Sequence, residues 1–123
     1  MIDSSKCKEL MAGLKLESIR KAVSSVYEKK IVELNPHLSL YVFQGEDEDY
    51  LMIPYIYCSC PDYRIRVLAK GEKSYCYHLL ALCLAINNNM LIRFELDKDN
   101  VIYTILKEII TTGKSHTLRG LRR

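Results

Sequence analysis

The sequence predicts an α+β fold, a small stapled β-hairpin plus helix core flanked by N- and C-terminal helices. Three observations predict it. Apolar residues recur at three- and four-residue steps towards both ends of the chain, the pattern of amphipathic helices. Between residues 38 and 58 the pattern changes to alternating, β-rich runs around an acidic turn. Four closely spaced metal-binding residue types, Cys58, Cys60, Cys76 and His78, then bracket the step from the hairpin into a helix.

The elements follow in chain order. Residues 4–34 read as helical with a weak point at Gly13, because Leu10, Leu14, Ile19, Ala22, Val23, Val26 and Val32 fall at helical steps. Asn35-Pro36 is expected to stop that helix. Leu38, Leu40 and Val42 alternate with Ser39, Tyr41 and Phe43, so 38–44 and 50–58 form an antiparallel hairpin around Gly45-Glu46-Asp47-Glu48-Asp49. Pro61 suits the first position of a short helix, Asp62 its acidic first turn, and Gly71 its end. A helix over 77–88 follows, then a short extended segment at 91–96. Residues 98–112 form a last helix with Val101, Ile102, Ile105, Leu106, Ile109 and Ile110 on one side, closed by Gly113. The expected organisation is one domain over 1–113, its core at about 38–88, and a basic tail at 114–123.

Composition bounds the function. The chain has 123 residues, 49% hydrophobic and 27% charged, with no long apolar run, which predicts one small domain without a transmembrane helix or targeting peptide. The net charge is +3, but Lys114, Arg119, Arg122 and Arg123 give the last ten residues +4 and leave −1 for the rest. A general basic surface is therefore absent. The tail reads as a solvated end able to touch phosphates, and the acidic turn as a soluble loop. Arg64, Arg66, Lys70 and Lys73, with Tyr63 or Tyr75, are candidates for a nucleic-acid face.

The cysteine and histidine pattern carries the chemistry. Three thiolates and one imidazole suit tetrahedral zinc, and four protein ligands leave no open position, so such a site is structural. Alternate residues at the end of a strand face one side, which brings Cys58 and Cys60 to one metal. Residues two apart on a helix point about 200° away from each other, so Cys76 belongs just before the helix and His78 in its first turn. The helix N-terminus then favours the thiolate. Cys7 and Cys83 lie outside the pattern and read as small apolar packing residues. Zinc-binding thiols imply a reducing compartment.

Cys58-x-Cys60, the Pro-x-aromatic step from Pro61 to Tyr63, and Cys76-x-His78-Leu-Leu-Ala81 resemble the SWIM zinc-binding domain. The fifteen residues between Cys60 and Cys76, and an alanine three residues after the histidine, resemble the SWIM subunit of Shu complexes. The likeness covers about 38–86. It implies zinc ligation by Cys58, Cys60, Cys76 and His78, packing by Ala81, and an aromatic over the metal at Tyr63; Tyr77 departs from the lysine often found there. It further implies a partner, a RecA-fold recombinase paralogue, and a role in homologous recombination, in the nucleus if the protein is eukaryotic and in the cytoplasm if archaeal.

Three functional classes compete. A zinc-stabilised adaptor explains the small size and the apolar stripes, more than a two-stranded sheet can cover; the region after the zinc helix is the expected partner face. A direct single-stranded nucleic-acid binder needs basic groups interleaved with aromatics. An enzyme needs an open metal position or a nucleophile with a base, and His37 and His116 are isolated.

Overall fold

A computed structural model describes residues 4–73, 75–94 and 99–122. Two helices, α1 (Ser4–Ala12) and α2 (Leu16–Tyr27), precede four strands, β1 (Ile31–Asn35), β2 (Leu40–Gln44), β3 (Asp49–Ile53) and β4 (Tyr57–Cys58). A π-helical segment (Tyr63–Ala69) leads to α3 (Tyr77–Asn87), β5 (Ile92–Arg93), α4 (Asp99–Thr112) and α5 (His116–Leu121). The fold class is the α+β one expected, but among the described residues the sheet has five strands in the order β4-β3-β2-β1-β5. Neighbours are antiparallel except β1 and β5, which run parallel.

The long N-terminal helix of the sequence reading is corrected to two helices and a strand. The chain turns at Gly13, and Lys15 is extended as the cap of α2. After Tyr27 it reverses through Lys29, whose φ of 59° ends the helix, and Ile31-Val32-Glu33-Leu34 enters the sheet. Val32 fits a helical step and a strand alternation equally; the β-branched pair Ile31-Val32 favours the strand. Asn35-Pro36 thus ends a strand.

The second hairpin strand is also corrected. It breaks at Pro54-Tyr55-Ile56, with Tyr55 at φ 65°, and returns as β4, so that Cys58 pairs with Met52. The β2–β3 turn closes by an N–H···O bond from Gly45 to Glu48, and a Cβ on Gly45 would come within 2.7 Å of that carbonyl oxygen. Only glycine fits there.

Strand alternation divides the core in two. Ile31, Tyr41, Phe43 and Met52 face α1, α2 and α3, while Val32, Leu34 and Val42 face α4 and α5 through Ile102, Ile105, Ile109 and Leu118. Helix α3 is apolar nearly all round, with Leu79, Leu80, Ala81, Leu82, Cys83 and Ala85 buried, which is why it occupies the centre of its layer. The apolar stripes are therefore spent mainly on a five-stranded sheet with both faces covered. The helix after the zinc segment gives Ile102, Ile105 and Ile109 to the core and leaves Tyr103 and Ile110 exposed. Of the 91–96 segment, residues 95 and 96 lie outside the described residues. No described helix is long and apolar enough to cross a membrane.

Two long-range ties were not foreseen. Cys7 and Cys83 are buried as expected but joined by a disulfide, their Cα atoms 5.7 Å apart across 76 residues of sequence. In the chain-entropy account, closing a loop of that length stabilises the fold by about 4 kcal/mol. Residues 114–122 of the basic tail are not a solvated end. Ser115 caps α5 by accepting from the Leu118 amide, and the Arg119 guanidinium pairs with buried Asp49 at 2.7 Å. Arg122 donates to Gln44 and to the Lys29 carbonyl.

Candidate metal centre

Each of the four candidate ligands is placed by a local feature of the chain. Cys58 lies opposite Met52 in β4 and faces the α3 side of the sheet. Ser59 points the other way, accepting from the Leu51 amide through its hydroxyl, and its own amide donates to the Leu51 carbonyl. Extended backbone then returns Cys60 to the side of Cys58. Pro61 opens a helical turn, as the sequence suggested, and the Tyr63 amide donates to Cys60 Sγ at 3.3 Å. The turn widens into the π-helical segment, with the Lys70 amide bonded to the Ile65 carbonyl, and Gly71 at φ 63° ends it. Lys73 pairs with Asp62 at 2.5 Å, drawing the far end of this loop back to its start.

Cys76 is extended and caps the N-terminus of α3, and His78 stands in the first turn. The ring of His78 is boxed by aromatics: its centroid lies 4.3 Å from Phe43, 5.1 Å from Tyr50 and 4.2 Å from Tyr77. Phe43 and Tyr50 are cross-strand partners, and neither was singled out from the sequence. Their alternation in β-rich runs was the available signal.

Cys58, Cys60, Cys76 and His78 form a cluster positioned to bind a zinc ion. All four are buried, and their donor atoms lie within 4.8 Å of one another. Cys58 Sγ is 3.8 Å from His78 Nδ1. A tetrahedral ion with Zn–S near 2.3 Å and Zn–N near 2.0–2.1 Å needs donor separations of about 3.5–3.8 Å, so the cluster fits with little adjustment. Among the described residues it is the one such group of three or more.

The charge state of the cluster explains its need for a cation. Hydrogen bonding to Cys60 and Cys76, then burial, hold the Cys58 thiol far above its ordinary range. Cys60 is lowered by hydrogen bonds from Cys58 and Cys76, which outweigh its burial. For Cys76 the hydrogen bond with Cys58 lowers the pKa, but the one with Cys60, burial and the Cys60 charge prevail and push it up to about 12. Alone, the three thiols accommodate about one negative charge; a dication is what lets all three ionise.

Tyr63 is buried in the same core cluster as Cys58, Cys60 and Cys76, with its ring edge-on to Tyr57 and its hydroxyl donating to the Ile56 carbonyl. The basic residues of the inter-ligand loop are largely engaged. Arg66 faces Asp62 and Glu72, Lys70 faces Glu72, and Lys73 holds Asp62. Arg64 donates to the Ser59 carbonyl. The acidic turn is divided: residues 46–48 are exposed, but Asp49 is buried and committed to Arg119. His37 and His116 remain outside the cluster.

No curated protein and no solved structure matches the chain. Residues 56–87, which run from the turn before β4 to the end of α3 and contain all four clustered donors, match the family model of the SWIM zinc finger.

Proposed function

We propose that the protein is a non-catalytic zinc-binding adaptor that pairs with a RecA-fold recombinase paralogue and promotes recombinase filament assembly or stability on single-stranded DNA in homologous recombination. The observation that carries the non-catalytic part is the closed donor set. Four buried protein ligands leave a zinc ion no position for water or substrate, so its work is to hold β4, the inter-ligand loop and α3 together. Ile56, Ile65 and Leu68, on segments the metal organises, are more than half exposed and suit a protein partner better than a phosphate backbone. The loop cations that a direct nucleic-acid reader would need are mostly paired with Asp62 and Glu72, Arg119 is paired with Asp49, and Arg122 is hydrogen-bonded to Gln44 and the Lys29 carbonyl. The recombinase partner rests on the resemblance of residues 38–86 to Shu-type SWIM subunits.

The test is affinity capture from nuclease-treated host extract with mass spectrometry. Recovery of a small RecA-fold ATPase that is lost with His78→Ala, and reduced with Ile65→Glu at full zinc content, is the expected result. Retention that depends on nucleic acid, with no such ATPase, overturns the adaptor reading in favour of a stand-alone nucleic-acid-binding module.

A further inference from the structure

Two staples hold the same helix. At the N-terminal end of α3, Cys76 and His78 join the metal cluster; five positions after His78, Cys83 joins α1 through its bond to Cys7. The disulfide is also tied to the end of α3 and to the turn before β4. Asn87 Nδ2 donates to Cys7 Sγ at 3.1 Å, and the Tyr55 hydroxyl lies 3.7 Å from Cys83 Sγ. Tyr55 belongs to the left-handed turn that aims β4, and with it Cys58, at the cluster. The bond thus braces α3, which carries two candidate ligands, and touches the turn that delivers a third.

We propose that Cys7–Cys83 is a redox latch whose closure tightens zinc binding at Cys58, Cys60, Cys76 and His78. Closure needs a disulfide donor, either a small-molecule disulfide or a dithiol oxidoreductase in its oxidised form. The Cys7 thiolate, exposed by fraying of the N-terminal helix, attacks one donor sulfur, forming a mixed disulfide and releasing one donor thiolate. The Cys83 thiolate then attacks Cys7 sulfur, the Cys7–Cys83 bond forms, and the second donor thiolate leaves. Two electrons pass from the pair to the donor, and the two cysteine protons go to solvent. Opening is the reverse, with a dithiol as reductant. The three cluster cysteines stand apart from this exchange because zinc occupies their thiolates. With the latch closed, α3 and the Tyr55 turn are already in place when zinc arrives; with it open, zinc binding must also order α1 against α3. Linkage makes the coupling reciprocal: each tenfold gain in zinc affinity on closure makes the reduction potential of the zinc-loaded pair about 30 mV more negative than that of the metal-free pair.

The experiment equilibrates the zinc-loaded full chain across a series of glutathione redox buffers, traps free thiols and locates them by mass spectrometry. At both ends of the series zinc affinity is measured by competition with a chromophoric chelator, and hydrogen exchange is followed over residues 4–12. The expected result is oxidation confined to Cys7 and Cys83, zinc held about tenfold or more tighter in the oxidised protein, and α1 protected only in that form. Cys7→Ser should behave as reduced protein in every buffer. Free thiols at both positions in the most oxidising buffer, or equal zinc affinity in the two states, overturns the proposal.

Discussion

Cys58 Sγ and His78 Nδ1 face each other across 3.8 Å in the protein interior, although one ends a two-residue strand and the other sits in the first turn of a helix twenty positions later. Among the described residues no backbone hydrogen bond joins the two elements directly. The inter-ligand loop, closed by Lys73 on Asp62, sets their approach, and a shared metal ion would fix it.

Replacing Cys76 with serine or His78 with alanine should abolish zinc binding, read as metal content by native mass spectrometry. The loss of stability on thermal or chemical unfolding should be several kcal/mol. It should fall short of the roughly 10 kcal/mol or more of isolated zinc-finger peptides, because the five-stranded sheet and the Cys7–Cys83 bond persist. Unchanged metal content in either variant would contradict the assigned donor set.

Zinc affinity should rise with pH. Cys58 and Cys76 are held above their ordinary range in the metal-free cluster and Cys60 below it, so near neutrality two of the three thiols still carry protons. Zinc takes all three as thiolates, and binding should release about two protons. With Cys76 pushed up to about 12, the rise should continue through neutral and mildly alkaline pH. Calorimetry in buffers of different ionisation enthalpy counts the protons; a count of zero would contradict the coupled protonation.

The Asp49–Arg119 pair should be worth more than a surface ion pair. Asp49 is fully buried and also accepts from the Ser115 amide at 2.8 Å, while Arg119 donates to the Gly45 carbonyl as well. Arg119→Ala leaves a buried, half-unpaired carboxylate and should cost about 3–5 kcal/mol. A double-mutant cycle with Asp49→Asn should recover much of that cost. A loss near zero for Arg119→Ala would mean that α5 is not a structural part of the fold.

Residues 38–88 were the most legible part of the chain, because their signals are local. Two ligand pairs at short spacing, Pro61, and the extended-then-helical placement of Cys76 and His78 could all be read within a few residues. The rest depended on distance or on an ambiguous period. Val32 satisfies both a helical and a strand repeat, and a strand of five residues gave too few alternations to decide. Missing β1 left the sheet at two strands and made the helices seem over-supplied with apolar surface. The bond between Cys7 and Cys83, and the pairing of Arg119 with Asp49, join residues about seventy positions apart, and no spacing rule reaches so far.

Acid should loosen the C-terminal helix through Glu108. Burial raises its pKa, but hydrogen bonds from the Ser115 hydroxyl and from the Thr117 amide and hydroxyl prevail and hold it below the usual carboxylate range. A carboxylate depressed in the folded state contributes stability above its unfolded pKa, and that contribution is lost as pH falls through the folded value. Hydrogen exchange over α5 should therefore quicken at a pH below about 4, and Glu108→Gln should show the quicker exchange already at neutral pH. Identical exchange in the two proteins at neutral pH would remove Glu108 from this role.

The most direct test of the central claim is X-ray absorption at the zinc edge on the metal-loaded protein. The predicted shell is three sulfurs at about 2.3 Å and one nitrogen at about 2.0–2.1 Å, with no further light atom. A shell with two sulfurs, or with an oxygen from water completing the coordination, would contradict a closed structural site.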